Sequence, residues 1–184
     1  EGGGSASFMT PQVKAERRAD GSIRLTSPVP LRDYARCAGD WLEHWARERP
    51  DRIFLGDRSS VDAPWSTVTY REALKQVRAI GGWILAQGMS AARPLVVLSD
   101  NSVDHALFAL AAMHVGVPVA AVSPAYSLMS KDFDKLKSMV ALLDPGAIYV
   151  SSAKPFAAAL AAIAPLHSAT VVSINAADAG VVSF

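Results

Sequence analysis

Cysteine is almost absent from this sequence, with Cys37 the only one in 184 residues. A single cysteine excludes an internal disulfide framework and a zinc site built from several thiolates. It is also typical of proteins in a reducing compartment, which predicts a cytoplasmic location. Cys37 follows Arg36 and precedes an aromatic helix, so an activated thiol and a buried packing residue are both options. We expect the second, which is the more common outcome.

Neither sign of charge is in excess, since 18 Lys and Arg residues face 17 Asp and Glu residues and the formal net charge is +1. Charged residues form a short block only over residues 14–18. A protein that binds nucleic acid or an anionic membrane through its charge carries a basic patch or stripe. The composition therefore predicts neither of these partners.

Long apolar runs are missing as well. The most apolar stretch, residues 107–122, is interrupted by His114, Gly116 and Pro118, and it falls short of the ~20 apolar residues that a membrane span needs. Residues 1–8 (EGGGSASF) lack the basic start and apolar centre of a signal peptide. We expect them to be a tag or linker remnant outside the fold.

Three catalytic sequence motifs are not found. The sequence has no G-x-G-x-x-G, no glycine loop followed by Lys-Ser/Thr, and no G-x-S-x-G. Their absence argues against a dinucleotide-binding oxidoreductase, a P-loop nucleotidase and an α/β hydrolase. The glycine pair Gly81-Gly82 lies inside a predicted helix, where small residues allow close packing. No catalytic, cofactor-binding or metal-binding residue is assigned.

The histidines and tryptophans are expected to be structural. His105 and His114 lie nine residues apart on one predicted helix. At about 100° per residue they fall on opposite faces, so they cannot bind one metal ion. His44 and His167 are isolated. The four tryptophans could also form an aromatic-ligand site. Three of them, Trp41, Trp45 and Trp83, fall at helical positions that suit core packing, and Trp65 is the fourth. We therefore expect the tryptophans to be core residues.

From Pro94 onward, apolar strands alternate regularly with capped helices. The predicted strands are 95–99, 119–123, 147–150 and 170–174, and the predicted helices are 103–115, 131–143 and 155–164. The strands are continuously apolar, which indicates burial on both faces by flanking helices. The sequence therefore predicts an α/β fold, a layered domain with a mostly parallel sheet between helices.

The part before Pro94 is less regular. Residues 9–30 are predicted to form an N-terminal arm with two short strands around an Asp20-Gly21 turn, and residues 31–184 the α/β domain. A helix is expected to start at a cap on Asp40 and to end at Pro50, followed by short strands at 53–55 and 65–68. Thr69 and Glu72 form a capping box for a longer helix that Gly88 ends.

The loop at residues 99–102 (SDNS) follows the first predicted parallel strand, where open α/β sheets place their ligand crevices. Backbone amides at the start of the next helix could bind an anion there. The alternative is a simple turn with Ser102 as the helix cap, built from residues that cap well. We favour the turn and cap.

The sequence of residues 69–123 resembles the N-terminal part of the adenylate-forming acyl-CoA synthetases. The matching segments are the TYREAL helix start, the LSDNS strand end, an Ala-rich helix, and the strand GVPVAAVSP. Four further segments look most like the feruloyl-CoA synthetases of that family: ADGSI, DWLEHWARERPDR, LSDNSVDHALFALAAMHVGVP and VSPAYSLMSKDFDKLK. The resemblance runs from about Val13 to the end of the chain.

The resemblance implies a ligase that activates a hydroxycinnamic or related carboxylic acid, with ATP, Mg and coenzyme A as cofactors. Its family pattern places the nucleotide chemistry on a phosphate loop ending in Pro-Lys-Gly, on acidic residues and on a lysine of a C-terminal domain. None of these motifs occurs in the sequence, so the chain is expected to be an inactive N-terminal portion without bound cofactor. A homodimer is left open. The alternative is a non-catalytic α/β binding or interaction module, and an NAD-dependent oxidoreductase ranks third.

Overall fold

The computed structural model describes residues 10–175 and 182–183. They belong to two units, Glu1–Tyr34 and Ala35–Phe184. In the first unit, β1 (Lys14–Arg17) and β2 (Ile23–Thr26) form an antiparallel hairpin in which Lys14 lies opposite Thr26. Gly21 takes a φ of +85° in the connecting turn, a conformation that glycine adopts without strain. The two short strands and the turn expected from the sequence are thus present.

The second unit holds a layered α/β fold. Its elements in chain order are α1 (Ala38–Glu48), β3 (Ile53–Asp57), β4 (Ser66–Thr69), α2 (Tyr70–Ala86), β5 (Leu95–Leu98), α3 (Val103–His114), β6 (Val119–Ala121), α4 (Ala125–Leu128), α5 (Asp134–Leu143), β7 (Ala147–Val150), α6 (Ala153–Ile163), β8 (Thr170–Ser173) and β9 (Val182–Ser183). A 3₁₀ turn, Ala164–Leu166, extends α6.

The main sheet has the strand order β6-β5-β7-β8-β9, and every pair in it is parallel. Leu95 on the central strand β5 is in register with both Val119 and Ala147. All residues of β5 and β7 are buried. The prediction of a parallel sheet with strands near residues 95–99, 119–123, 147–150 and 170–174 is confirmed. Strands β3 and β4 form a separate antiparallel pair.

Two apolar layers lie on the two faces of the main sheet. Along β5, Leu95 and Val97 belong to the layer with α1, α2 and α3, whereas Val96 and Leu98 belong to the layer with α5 and α6. This alternation follows from the period of two in a β-strand. In the first layer, the rings of Phe108 and Tyr149 stack with centroids 4.4 Å apart.

Several helix ends follow their sequence signals. The Thr69 hydroxyl accepts from the Glu72 amide, and the Glu72 carboxylate accepts from the Thr69 amide at 2.8 Å, so the predicted capping box is present. Gly88 and Gly116 follow α2 and α3 with φ values of +67° and +77°. These left-handed residues end the two helices as expected.

Helix α1 begins earlier than predicted. Its N-cap is Cys37, and Asp40, expected to be the cap, lies in the first turn. The Cys37 thiol donates to the Asp40 carboxylate at 3.6 Å, and Arg36 pairs with the same oxygen at 3.1 Å. An acidic side chain in the first turn stabilises a helix through its dipole, which explains why the signal was misplaced by three residues. Cys37 itself is half-buried and unpaired in a disulfide.

The predicted helix 131–143 is also corrected, because the chain forms α4 first and starts α5 only at Asp134. The Ser130 hydroxyl accepts from the Phe133 amide and donates to Asp132, which closes a turn. Phe133 then takes a left-handed φ of +56°, which a right-handed helix excludes. Helix α6 starts two residues before the predicted position, with Pro155 in its first turn, where proline is tolerated.

The tryptophan prediction is correct only in part. Trp83 is half-buried and meets the Phe108 ring edge-on at 6.5 Å, and Trp45 is half-buried as well. Trp41 is 53% exposed, because α1 buries the face that carries Gly39 and Leu42. Among the described helices, none is both long enough and apolar enough to cross a bilayer.

Candidate functional site

The carboxyl ends of the parallel strands meet along one edge of the sheet. We call this the carboxyl edge, and it consists of residues 99–102, 123–124, 151–152 and 173–175. A serine stands at or just after the end of each strand from β5 to β8, namely Ser99, Ser123, Ser151 and Ser173. Ligand crevices of open α/β sheets lie at this edge. It is therefore the first place to look for a site.

The buried serines of this edge serve the backbone. The Ser99 hydroxyl donates to the Asp100 carbonyl at 2.6 Å. The Ser173 hydroxyl donates to the Ser151 carbonyl at 3.5 Å and accepts from the Asn175 amide. Both serines are at most 3% exposed. Their hydroxyl groups shape the loops and are not positioned as nucleophiles.

The start of α3 is capped by side chains. The Ser102 hydroxyl accepts from the His105 amide at 3.0 Å, as the sequence predicted. Asp57, at the end of β3, accepts from the Val103 amide at 2.8 Å. His105 Nδ1 lies 3.2 Å from the Asp100 carbonyl oxygen. Two of the first three helical amides are thus already bonded, so the turn-and-cap interpretation is supported and the anion site is not.

A cleft of about 180 Å³ opens beside this cap. It is lined by Leu55, Gly56, Asp57, Asn101, Ser102 and Val103. The cleft joins the antiparallel pair β3–β4 to the carboxyl edge. Sequence reasoning missed Asp57, because a Gly-Asp pair that follows the predicted strand 53–55 carries no signal for a contact with a residue 46 positions away.

The ionisable groups nearest this cleft are the acidic side chains of Asp57 and Asp104. Burial raises the pKa of Asp104 above its usual range, and the nearby charge of Asp57 raises it further. The pKa of Tyr149 is raised strongly, first by burial and then by the Asp104 charge, with the Ser102 side chain opposing the shift in part. The Tyr149 hydroxyl is fully buried, and although the Ser102 side chain is near enough to lower its pKa in part, the two groups do not meet hydrogen-bond geometry. The surroundings therefore favour protonated, neutral side chains.

The four histidines lie in four different settings. His44 meets the rings of Trp41 and Trp45 edge-on, and His167 Nδ1 accepts from the Ala169 amide. His114 Nε2 lies 3.6 Å from a Glu43 carboxylate oxygen. His105 stays with the SDNS loop. The structure does not bring these side chains together into one site.

The segment 122–137, singled out in the sequence, forms the end of β6, α4, a turn and the start of α5. A second cleft of about 470 Å³ lies along it, lined by Ala125, Tyr126, Met129, Ser130, Asp132, Asp134 and Lys135. The Lys135 ammonium lies 5.4 Å from the centre of the Tyr126 ring. Hydrogen bonds from the Asp134 amide and the Ser130 hydroxyl lower the pKa of Asp132. This cleft borders the carboxyl edge at its β6 end.

Comparison with known proteins decides the family. The sequence profile of the AMP-binding enzyme family matches residues 42–180, which is most of the chain and includes the whole carboxyl edge. The chain belongs to the AMP-binding enzyme family. No curated protein matches its sequence at a significant level.

Solved structures share the fold of this chain. A protein assigned as a long-chain-fatty-acid CoA ligase from Rhodopseudomonas palustris aligns with a TM-score of 0.65 at 16% identity, over 80% of this chain and 35% of that one. Acetoacetyl-CoA synthetase from Streptomyces lividans aligns with a TM-score of 0.62 at 17% identity, over 74% of this chain and 22% of that one. Fatty acid AMP ligase from Legionella pneumophila aligns with a TM-score of 0.56 at 15% identity, over 63% of this chain and 20% of that one. The chain therefore spans a fifth to about a third of these relatives, and the likeness concerns the fold alone.

The first cleft does not fit a triphosphate. Several negative charges have to be neutralised in such a site, by Lys, Arg or a metal ion. The first cleft offers the Asp57 carboxylate instead, with Asp104 nearby, and no Lys or Arg lines it. Within the part of the chain that the structure describes, no three His, Cys, Asp or Glu side chains converge as a metal site. The carboxyl edge is thus a wall of the fold rather than a nucleotide-binding site by itself.

Proposed function

We propose that this chain is the N-terminal portion of a longer ATP-dependent ligase that converts a carboxylic acid into its coenzyme A thioester through an acyl-adenylate. The observation that carries the proposal is the family match over residues 42–180, and the parallel sheet of the structure is consistent with it. Two relatives support the reaction class. One is a fatty acyl-adenylate ligase from L. pneumophila in complex with acyl adenylate and pyrophosphate, and the other is acetoacetyl-CoA synthetase.

The proposed reaction has two steps. A carboxylate oxygen attacks the α-phosphorus of ATP, and pyrophosphate leaves as the acyl-adenylate forms. The thiol of coenzyme A then attacks the acyl carbon, and AMP leaves with the electron pair of the broken C–O bond. Both steps depend on holding the reactants in line and on stabilising charge at the phosphates. Since the described residues include no cation at the carboxyl edge, we assign them no step of this chemistry.

The contribution of this chain is then a rigid scaffold. The buried strands β5 and β7 fix the ends of the sheet, and hydrogen bonds from backbone amides to the Ser102 and Asp57 side chains fix the start of α3. Sites on elements held in this way are more precise than sites on free loops. In the proposed enzyme, the carboxyl edge forms one wall of the active site, and the groups that bind phosphate belong to the remaining part of the protein.

For the substrate, we propose a hydroxycinnamic acid such as ferulate. The support is the sequence of residues 40–52 and 122–137, which resembles the corresponding segments of feruloyl-CoA synthetases. The solved relatives named above act on other acids according to their names, so the substrate rests on kinship alone. ATP, Mg and coenzyme A as cofactors of the whole enzyme, and a cytoplasmic location, remain predictions.

The test is pyrophosphate release with ferulate, ATP and Mg, measured for the 184-residue chain and for the longer protein that contains it. The chain alone is expected to match the blank without enzyme, and the longer protein is expected to turn over and to form the thioester with coenzyme A. Turnover by the chain alone would contradict the assignment of the phosphate-binding groups. No adenylation by the longer protein with any acid would favour the alternative, a non-catalytic α/β binding module, which the lack of cations at the carboxyl edge also permits.

A further inference from the structure

A second candidate site lies at the junction of α1 and α2, apart from the carboxyl edge. Trp45, Arg49, Arg52 and Tyr70 line a pocket of about 260 Å³ there. Trp45 and Tyr70 are half-buried, and both arginines are exposed. The pocket therefore combines aromatic walls with two cationic groups that solvent can reach.

The aromatic walls are fixed by packing. The Trp45 and Tyr70 rings lie 6.4 Å apart between centroids with an interplanar angle of 36°, and Tyr70 stacks on Phe54 at 4.5 Å. The Arg49 guanidinium carbon lies 5.6 Å from the centre of the Trp45 ring, within the range of a cation–π contact. The spacing of the two rings is too small for a third ring between them. A planar ligand would lie against them as a wall.

The backbone holds the two arginines in place. The Arg52 amide donates to the Arg49 carbonyl at 3.2 Å, and the Tyr70 amide donates to the Arg52 carbonyl at 3.1 Å. The turn after α1 is thus tied to the first residue of α2. The side chains are exposed at the surface, and the backbone positions from which they extend beside the two rings are set by hydrogen bonds.

Neither arginine has an acidic partner among residues 10–175. Within the described part of the chain, no carboxylate lies within ion-pair distance of Arg49 or Arg52, whereas the intervening Asp51 pairs with Arg71 at 3.0 Å. A basic residue near the end of α1 is favourable for the helix dipole, which accounts for Arg49. It does not account for Arg52, which lies beyond the helix. Within this part of the chain, the pocket is left with two positive charges that no carboxylate pairs with.

From this combination we infer that the pocket binds a small planar aromatic ring that carries a carboxylate or a phosphate. Guanidinium groups bind both anions through paired hydrogen bonds, and they stack on aromatic faces. The volume is below the 300–1,000 Å³ or so of a typical pocket for a drug-sized ligand, so a single ring with its anionic group fits better than a larger molecule. This inference does not depend on the proposed function.

The test is an NMR titration of the 184-residue chain, read at the indole N–H signals of the tryptophans. Benzoate and phenyl phosphate are the probes. Benzamide lacks the charge, and cyclohexanecarboxylate lacks the aromatic ring. We expect both aromatic anions to shift the Trp45 signal, with dissociation constants of about 1 mM or lower, and the other two compounds to bind at least tenfold more weakly. Tighter binding of phenyl phosphate would indicate a phosphorylated or nucleotide ligand, and tighter binding of benzoate an aromatic acid.

The variants R49Q and R52Q are each expected to weaken binding by about tenfold, and R52K, which keeps the charge but not the paired donors, by less. Arg58 provides a matched control, because its guanidinium carbon lies 4.9 Å from the Trp65 ring outside the pocket. R58Q is expected to bind within twofold of the wild type, and the Trp65 signal is expected to stay unmoved.

Two results would overturn the inference. One is an unmoved Trp45 signal at about 20 mM of both aromatic anions, which is far above the expected dissociation constants. The other is equal binding by the wild type and by an R49Q/R52Q double variant whose spectrum shows an intact fold.

Discussion

Glu43 of α1 and His114 of α3 face each other, with Oε1 and Nε2 3.6 Å apart, and the same carboxylate oxygen lies 3.0 Å from Arg78 Nη2 on α2. One side chain thus links three helices. His114 Nδ1 is buried without a hydrogen-bond partner among the described residues, and its ring lies against Gly39 of α1. A Cβ atom at position 39 would meet the imidazole. The close approach of α1 and α3 therefore depends on glycine at that position.

The substitution Gly39→Ala is expected to lower the free energy of unfolding by about 1–3 kcal/mol, because the added methyl group forces the packed His114 ring to move. Urea unfolding followed by circular dichroism measures the change. Gly82→Ala is the control, since a Cβ atom there has nothing within 4 Å and alanine is the better helix former by about 1 kcal/mol. In the double variant with His114→Ala, most of the Gly39→Ala cost should disappear. If the two substitutions are additive, the imidazole is not the obstacle.

The substitution Tyr149→Phe is expected to leave stability unchanged or to raise it by up to about 2 kcal/mol. The reason is that the buried hydroxyl, although near the Ser102 side chain, makes no bond of hydrogen-bond geometry, and an unsatisfied buried polar group costs about 1–3 kcal/mol. The stacking with Phe108 is retained in the variant. Tyr126→Phe, at a half-buried position in α4, serves as the comparison. A loss of more than about 1 kcal/mol in Tyr149→Phe would mean that the hydroxyl is hydrogen-bonded.

The stability should depend on the ionisation of Asp104. Its pKa is raised in the folded state by burial and by Asp57, so the folded chain binds the proton more tightly than the unfolded chain. The stability of the fold therefore falls as the pH rises from the pKa of Asp104 in the unfolded chain to its higher pKa in the folded chain. Asp104→Asn should remove that fall and be more stable than the wild type at pH 7, by at most about 1 kcal/mol because the carboxylate is partly solvated. The two proteins should converge near pH 3, and Asp62→Asn, in an exposed loop, should show no such pH-dependent gain.

The capping box at the start of α2 should be measurable in the same way. Thr69→Ala removes the hydroxyl that accepts from the Glu72 amide, and it is expected to cost about 1 kcal/mol. Thr67→Ala, at an exposed position of β4, changes the same atoms without affecting a cap. Its cost should be clearly smaller. Equal costs would show that the cap contributes nothing beyond a threonine in a short strand.

The proposed substrate predicts the specificity of the longer protein. Its kcat/KM with saturating coenzyme A should be higher for ferulate and p-coumarate than for benzoate and palmitate. A site that hydrogen-bonds a ring hydroxyl discriminates against analogues without that group, because its buried polar atoms lose their partner. If palmitate or benzoate leads ferulate by tenfold, about 1.4 kcal/mol in transition-state binding, the hydroxycinnamate proposal is wrong and the ligase proposal is unaffected.

The regular part of the fold could be predicted from local signals. The run LVVL of β5 is apolar at every position, which is typical only of a strand covered on both faces. Thr69 with Glu72, Gly88 and Gly116 mark helix ends through bonds to their nearest neighbours in sequence. Such signals are contained in a few adjacent residues. They do not depend on the rest of the structure.

The remaining features depend on contacts that sequence spacing does not encode. The bond from the Val103 amide to Asp57 joins residues 46 positions apart, so nothing local to Asp57 indicates it. The exposure of Trp41 follows from which face of α1 meets α2 and α3. The break before α5 depends on side-chain hydrogen bonds of Ser130, which compete with the helix. The pocket at Trp45 and Tyr70 likewise needs the approach of two helices.

Strand β6 lies at one edge of the main sheet in the described part of the chain. It pairs with β5 through Val119, Ala120 and Ala121, and within the described residues no strand lies on its other side. An open edge can recruit a strand from another molecule and so start aggregation. Here the edge is only three residues long, and Pro124, which lacks an amide donor, follows soon after it. The strand is thus too short to template an extended intermolecular sheet at this edge.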